Sequence, residues 1–540
     1  MNRKKFLQYM GTGTVALAAA STGLDGIADK VNAKQGAFHK PNKKAPKMGP
    51  LKFRPIEPTN KDDLILPKGY SYKVVAAYED KINSKGDTFG FNNDFTLFFP
   101  MEDSEEERGL LWVNHEYVDD QFVFGKKIEE NYSKAQIEKL LYNQGGSIIE
   151  VVNGENGWEM DTSSNYARRV TGLTSISLTG PAKGSKAVGG ASKVQGTFAN
   201  CSGGKTLWNT VLSCEENYED TSEAADLDET HYGWVVEVDP FDENFQVHKH
   251  TALGRFHHEN ACMGLAKDNR IVVYMGDDKE DACVYKFISE GKYDPNAGKK
   301  NAKLLEKGTL YVANFSEGAW VPLTIDEVKK AAEDDKDALD KFQTQADVLV
   351  NCHDAAILVG GTPTDRPEDV EISPFDGTIF VAHTNNQTHG NMHGHITRFF
   401  EKEDDHGSLE FQFSIFAAGG TQSGFSAPDN LTFDEDGNLW TVTDISSSKL
   451  NSTIWEPFGN NGVFVIPTQG QDEGVAYQFG SAPVEAELTG PSFTPDEKTL
   501  FLSVQHPGEE TEDRSNPTSM WPHRYGDSMP RPAVVAITGF

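Results

Sequence analysis

Between residues 368 and 507 the chain repeats one alternation of apolar and polar positions three times. Residues 368–386, 428–444 and 489–507 each read as an apolar run, a turn carrying Asp with Gly or Lys, and a second, more apolar run. Asp-Gly between alternating runs is a strong hairpin signal. A-C-M-G-L-A-K-D-N-R-I-V-V-Y-M-G-D-D (261–278) is a further copy, and R-G-L-L-W-V-N-H-E-Y (108–117) reads as the inner half of another. Each copy ends in a polar cluster just past its second run, which reads as the strand nearest the axis.

Such spacing, with variable insertions, is the behaviour of a repeated supersecondary unit. The expected fold is all-β, a six-bladed β-propeller, because about 475 residues at roughly 80 per blade give about six blades. Two β-sandwich domains are the alternative architecture. Short helical insertions are read at 133–141, with Ser133 as N-cap, and at 323–342. The expected divisions are 1–30 as an export signal, 31–63 as a linker or strapped-down N-terminal arm, and 64–540 as the propeller.

The first residues start basic and continue into a short apolar run of small residues, too short to span a bilayer. This reads as an export signal, with Arg3-Lys4-Lys5-Phe6-Leu7 resembling the twin-arginine type except for a lysine at its second arginine. The twin-arginine export machinery is then a partner, and the location is periplasmic, cell-surface or extracellular. No later segment is apolar enough for stable membrane insertion, and nothing demands more than a monomer. The chain carries 50 Lys and Arg against 82 Asp and Glu, a formal charge of −32, which disfavours nucleic acid and anionic lipid. Five cysteines exclude a dense disulfide framework and leave at least one free of pairing within the chain. Cys201 and Cys214 could form a disulfide, pack inertly, or hold a metal with the neighbouring Glu215 and Glu216.

The clusters at strand ends carry the candidate chemistry: N-H-E (114–116), N-C-S-G-G (200–204), S-C-E-E-N (213–217), R-F-H-H-E-N (255–260), G-D-D (276–278), R-P-E-D (366–369), T-N-N (384–386), P-D-N (428–430), E-L-T-G (487–490) and Q-H-P (505–507). Oxygen donors with few imidazoles suit calcium or ferric iron, and a thiolate among them favours a softer or redox-capable ion. No zinc, P-loop or nucleophile-elbow motif is present.

The stretches 196–217, 233–242, 252–261, 273–287 and 366–377, with T-N-N downstream, together resemble the PhoX-type alkaline phosphatases from about residue 60 onward. One departure is T-L-W-N-T-V at 206–211, where the family pattern is T-P-W-G-T-W. The resemblance implies an exported phosphatase that hydrolyses phosphate monoesters, and possibly diesters, with iron (Fe3+) and calcium (Ca2+) in the propeller channel and a metal-bound oxo or hydroxide as nucleophile. It makes Cys201 the thiolate ligand, with Glu216, Glu259 and Glu368 as carboxylate ligands and Glu215 as the rival of Glu216. Asp429, Asn430 and Glu487 are further metal ligands, and Asn114 and Asp278 are added candidates. Arg366 and Glu259 are the candidate catalytic residues, with Arg366, Asn386 and His506 contacting substrate. A calcium-dependent lactonase-type propeller and a non-catalytic calcium-binding propeller are the competing functions.

Overall fold

The computed structural model describes residues 30–31, 51–101, 107–128 and 131–540. Nearly all of the expected export signal falls outside these residues. Within them the chain forms six sheets of four to six strands. Their innermost strands are Asn93–Pro100, Asn200–Lys205, Cys262–Leu265, Pro367–Ile372, Pro428–Phe433 and Glu487–Phe493. Each contacts the next, and the last contacts the first, so they line a closed ring around one axis. The sixth blade joins the two ends of the chain, with Ser71–Ala77 pairing antiparallel to Ala533–Thr538. Closing the ring with both ends covers the apolar blade faces that a linear stack would leave exposed.

The apolar faces are spent between blades. Trp112, Ile148 and Leu110 of the first blade pack against Val211, Trp234 and Val236 of the second. Phe98, Leu111 and Val113 meet Phe501, Val534 and Ala536 across the ring closure. Strands covered on both faces need unbroken apolar runs, and Thr499–Gln505 is buried at every position. The channel is thereby left to polar side chains.

The order of strands within a hairpin is the reverse of the sequence expectation. The first run of each repeat is the innermost strand, and the more apolar second run lies one place further out, where it is covered on both faces. Arg108–His115 is likewise a second strand, paired with the inner Asn93–Pro100. The helix at Lys134–Asn143 is capped by Ser133 with Gln136 in a reciprocal box. The longer amphipathic stretch is broken into Ile325–Ala331 and Lys336–Lys341, because Asp335 accepts from the Ala338 N–H and starts a new helix.

The arm is built into the fold from residue 51, earlier than the boundary at 64. Ile56 N–H donates to the Gln478 carbonyl at 3.0 Å, and the Phe53 ring meets Phe479 edge-on at 5.1 Å and Tyr70 at 6.5 Å. Phe53→Ala should cost about 2–3 kcal/mol of stability, toward the lower end of large-to-small values because the ring is only half-buried. A lowered thermal midpoint with unchanged metal content is the expected result.

Candidate metal centre

The site arises from one geometrical feature repeated around the ring. In five of the six hairpins a residue at or just before the inner strand is paired, at the mouth, with one at or just past the end of the second strand, whereas in the sixth Glu487 itself is paired with Gln505. The five pairs are Asn93 with His115, Asn200 with Glu215, His258 with Asp277, Pro367 with His383, and Pro428 with Thr443. The next residue along each strand then supplies a side chain at the mouth: Asp94 and Glu116, Cys201 and Glu216, Glu259 and Asp278, Glu368 and Thr384, Asp429 and Asp444. Just past the paired residue the ladder slips in the first, second, fourth and fifth of these hairpins. A bulge there re-aims side chains away from the ladder. Asn92, Ala199, Arg366 and Ala427, each directly before an inner strand, have φ of +39°, +53°, +54° and +54°.

Three overlapping groups result, each with ligand atoms within 4.8 Å of one another: Asp94, Glu116 and Cys201; Cys201, Glu216 and Glu259; Glu259, Glu368 and Asp429. Cys201 and Glu259 belong to two groups each and join all three into one continuous donor set. The Cys201 Sγ lies 3.1 Å from Glu259 Oε2 and 3.6 Å from Asp94 Oδ2. Neutral donors hold the carboxylates in place. Gln505 Nε2 donates to Asp94 at 2.9 Å and Glu116 at 2.8 Å, Thr384 Oγ1 to Glu368 at 2.6 Å, and Asn430 Nδ2 to Glu259 at 3.0 Å.

The charge state of this set is the informative quantity. Burial, then repulsion from Glu368, Asp429, Glu216 and Asp94, pushes the Glu259 carboxyl well above the usual carboxylate range. Asp94, Glu216, Glu368 and Asp429 are raised in the same way, burial first. Burial pushes Glu116 up to about 7. Burial and then Asp94, Glu259 and Glu216 raise the Cys201 thiol. The cation set against these groups is Arg366, which cannot balance six carboxylates and a thiol. Bound metal ions fit the set: carboxylate oxygens suit hard cations, and the single sulfur suits a softer or redox-capable one.

The structure brings together Cys201, Glu216, Glu259, Glu368 and Asp429. Glu487 is beside them, raised by burial and then by Asp444, Asp429, Asp94 and Glu116, and His506 Nε2 lies 3.4 Å from its carboxylate. Glu215 is a correction. Successive strand side chains point to opposite faces, so it turns into the blade, where it meets Lys249 Nζ at 2.7 Å with both side chains fully buried. Asn430 is another: its Oδ1 accepts from Thr489 Oγ1 at 2.5 Å and Gly490 N–H at 2.7 Å, so it braces the site. Asn386 is engaged outside the donor set, its side-chain amide donating to Asp281 at 3.2 Å and its side-chain carbonyl accepting from the His389 N–H. Asn114 donates to the Cys201 and Ser202 carbonyls, both at 2.8 Å, fixing the thiol-bearing backbone. All five cysteines are free, and Cys214 packs in the core between the second and third blades.

Asp94 and Glu116 are the donors that sequence reasoning did not single out, and Asp444 is a further carboxylate at the mouth that it passed over. Asp94 follows N-N in a hairpin whose two strands are joined by the sequence M-E-D-S-E-E-E, which carries no Asp-Gly signal. Glu116 stood in the N-H-E cluster beside Asn114, and the position one past the hairpin pair is the signal that would have selected it.

Glu215→Ala should destabilise the fold by about 3–5 kcal/mol by stranding the buried Lys249 charge. Glu216→Ala should lower metal stoichiometry with a much smaller change in thermal midpoint. Measuring both quantities for both variants separates the two roles. A carboxyl raised by folding contributes stability below its unfolded value, about 4.5, and loses it as pH rises through its folded value, about 7 for Glu116. Chelated protein should therefore melt at progressively lower temperature between pH 5 and 8, and the gap to metal-loaded protein should widen.

Comparison with known proteins agrees with this geometry. The family described as Alkaline phosphatase PhoX matches residues 51–508. The Pseudomonas fluorescens PhoX structure in complex with vanadate, a transition state analogue, is 32% identical over 90% of this chain and 98% of its own, with a TM-score of 0.81. A gluconolactonase from Xanthomonas campestris is 12% identical over 90% of this chain and 98% of its own, with a TM-score of 0.36, which is too low to bear on function. No curated protein matches. The chain belongs to the PhoX alkaline phosphatase family.

Proposed function

We propose that this phosphatase hydrolyses phosphate monoesters outside the cytoplasm, with iron held at Cys201 and calcium among the surrounding carboxylates. The single observation that carries the reading is the continuous donor set of Asp94, Glu116, Cys201, Glu216, Glu259, Glu368 and Asp429, buried with one guanidinium against it. Vanadate occupies the Pseudomonas fluorescens relative as a transition state analogue, and a phosphoryl group is the corresponding substrate here. Cys201 in two of the three groups disfavours a calcium-only lactonase, which has no use for a thiolate. No helix among the described residues is long and apolar enough to cross a membrane, and the basic, small-residue N-terminus supports export.

The chain's own residues divide the work. Glu216, Glu259 and Glu368, with Cys201, would hold the metals. When bound, the ions supply Lewis acidity and the positive field that an acidic chain lacks. Arg366 reaches the same mouth and presents a planar donor group to a phosphoryl oxygen. Asn430, Thr384 and Gln505 keep the carboxylates oriented, so little reorganisation is required when charge moves in the transition state.

Protein isolated without chelator should contain iron together with calcium and turn over an aryl phosphate at alkaline pH. Glu259→Gln should lower turnover by about 100-fold or more, and Cys201→Ser should lower the iron content. Calcium alone, with full activity in Cys201→Ser, would remove the iron assignment.

A further inference from the structure

Arg366 sits on the last residue before an inner strand, in the left-handed backbone region that Asn92, Ala199 and Ala427 share at the same position. Such a conformation is costly for a long side chain, so the direction in which it aims the guanidinium is held by its surroundings. Of its five N–H donors, three are spent. Nε donates to Asp278 Oδ1 at 2.8 Å, and Nη2 donates to Asp278 Oδ2 at 2.6 Å and lies 2.9 Å from Glu368 Oε1. The two donors on Nη1 remain. The carboxylate facing them is Asp444, whose Oδ2 is 3.6 Å away, beyond hydrogen-bond distance.

Asp278 comes from the third blade and Arg366 from the fourth, so the fork-to-fork pair spans a blade boundary. Asp278 is itself fixed: its side chain is 4% exposed and its backbone N–H donates to the His257 carbonyl at 2.9 Å. Both Asp278 oxygens are engaged by Arg366, and the same carboxylate is the charge that acts most strongly on Glu216 at the border of the donor set. Asp444 differs in being partly exposed at the mouth, 24% by side chain, next to the one unspent edge of the guanidinium.

Resting on the phosphatase reading, we propose that Asp278 is a positioning residue that locks Arg366 so that Nη1 faces the incoming phosphoryl group, and that Asp444 competes for that amino group and speeds phosphate release. The geometry divides three carboxylates by role: Glu368 within the donor set, Asp278 behind the guanidinium, Asp444 in front of it. An arginine held at two nitrogens keeps its remaining edge pre-organised, and a carboxylate facing that edge lowers its affinity for a dianion.

Calorimetric binding of inorganic phosphate to the metal-loaded protein tests this, with iron and calcium content and thermal midpoint measured on each sample. Asp278→Asn should weaken phosphate binding about tenfold at unchanged metal content and should raise KM for an aryl phosphate far more than it lowers kcat. Asp444→Asn should tighten phosphate binding several-fold. Asp278→Asn combined with Arg366→Ala should bind no more weakly than Arg366→Ala alone. Unchanged phosphate affinity in Asp278→Asn, loss of a metal ion from it, or additive losses in the double variant would each overturn the proposal. A wild-type protein that binds phosphate as described but turns over no ester would instead sink the phosphatase reading and leave the anion site standing.

Discussion

Mutual repulsion among buried carboxylates is the constraint on which this molecule depends. Six acids and a thiol converge where water is scarce, and each raises the cost of ionising the next. A site of that composition cannot be stable and ionised at neutral pH on its own. Bound metal ions would resolve the conflict and also reverse the sign of the field, so that a chain with a net charge of −32 could attract a phosphate dianion.

The fold delivers this concentration of charge by repetition. Five of the six hairpins contribute the residue after the pair at their mouth, the sixth contributes the paired Glu487 itself, and ring closure brings these positions to one mouth. Ladder slips beside Asp94, Glu368 and Asp429 release these side chains from the alternation that would otherwise bury them between blades. The apolar surfaces needed for stability lie between the blades, remote from the axis. Stability and chemistry therefore use different faces of the same strands, and polar residues at the mouth need not be compromised for packing.

Buried charge outside the channel follows another rule. Lys249 with Glu215 and Lys286 with Glu401 are fully buried one-to-one pairs, each with its lysine also set over aromatic rings. They are balanced within the protein and require nothing from outside. The contrast between Glu215 and Glu216, adjacent in sequence, shows both solutions in one dipeptide. One acid is neutralised by a lysine of its own blade, and the other joins the buried donor set.

The sequence by itself determined the all-β hairpin repeat, the approximate blade number and the acid-rich, thiol-bearing character of the site, because period-two patterning and Asp-Gly turns are local signals. It also carried the family resemblance, through motifs around Cys201, Glu259 and Glu368. Tertiary structure alone decided which strand of each hairpin is innermost, since both runs are apolar and only ring closure distinguishes them. It decided as well that Glu215 turns away, that Asn386 is engaged elsewhere and that Asp94 and Glu116 join the donor set. Those outcomes depend on register at the hairpin mouth and on partners far along the chain, Lys249 for Glu215 and Gln505 for Asp94, and no local pattern encodes such contacts.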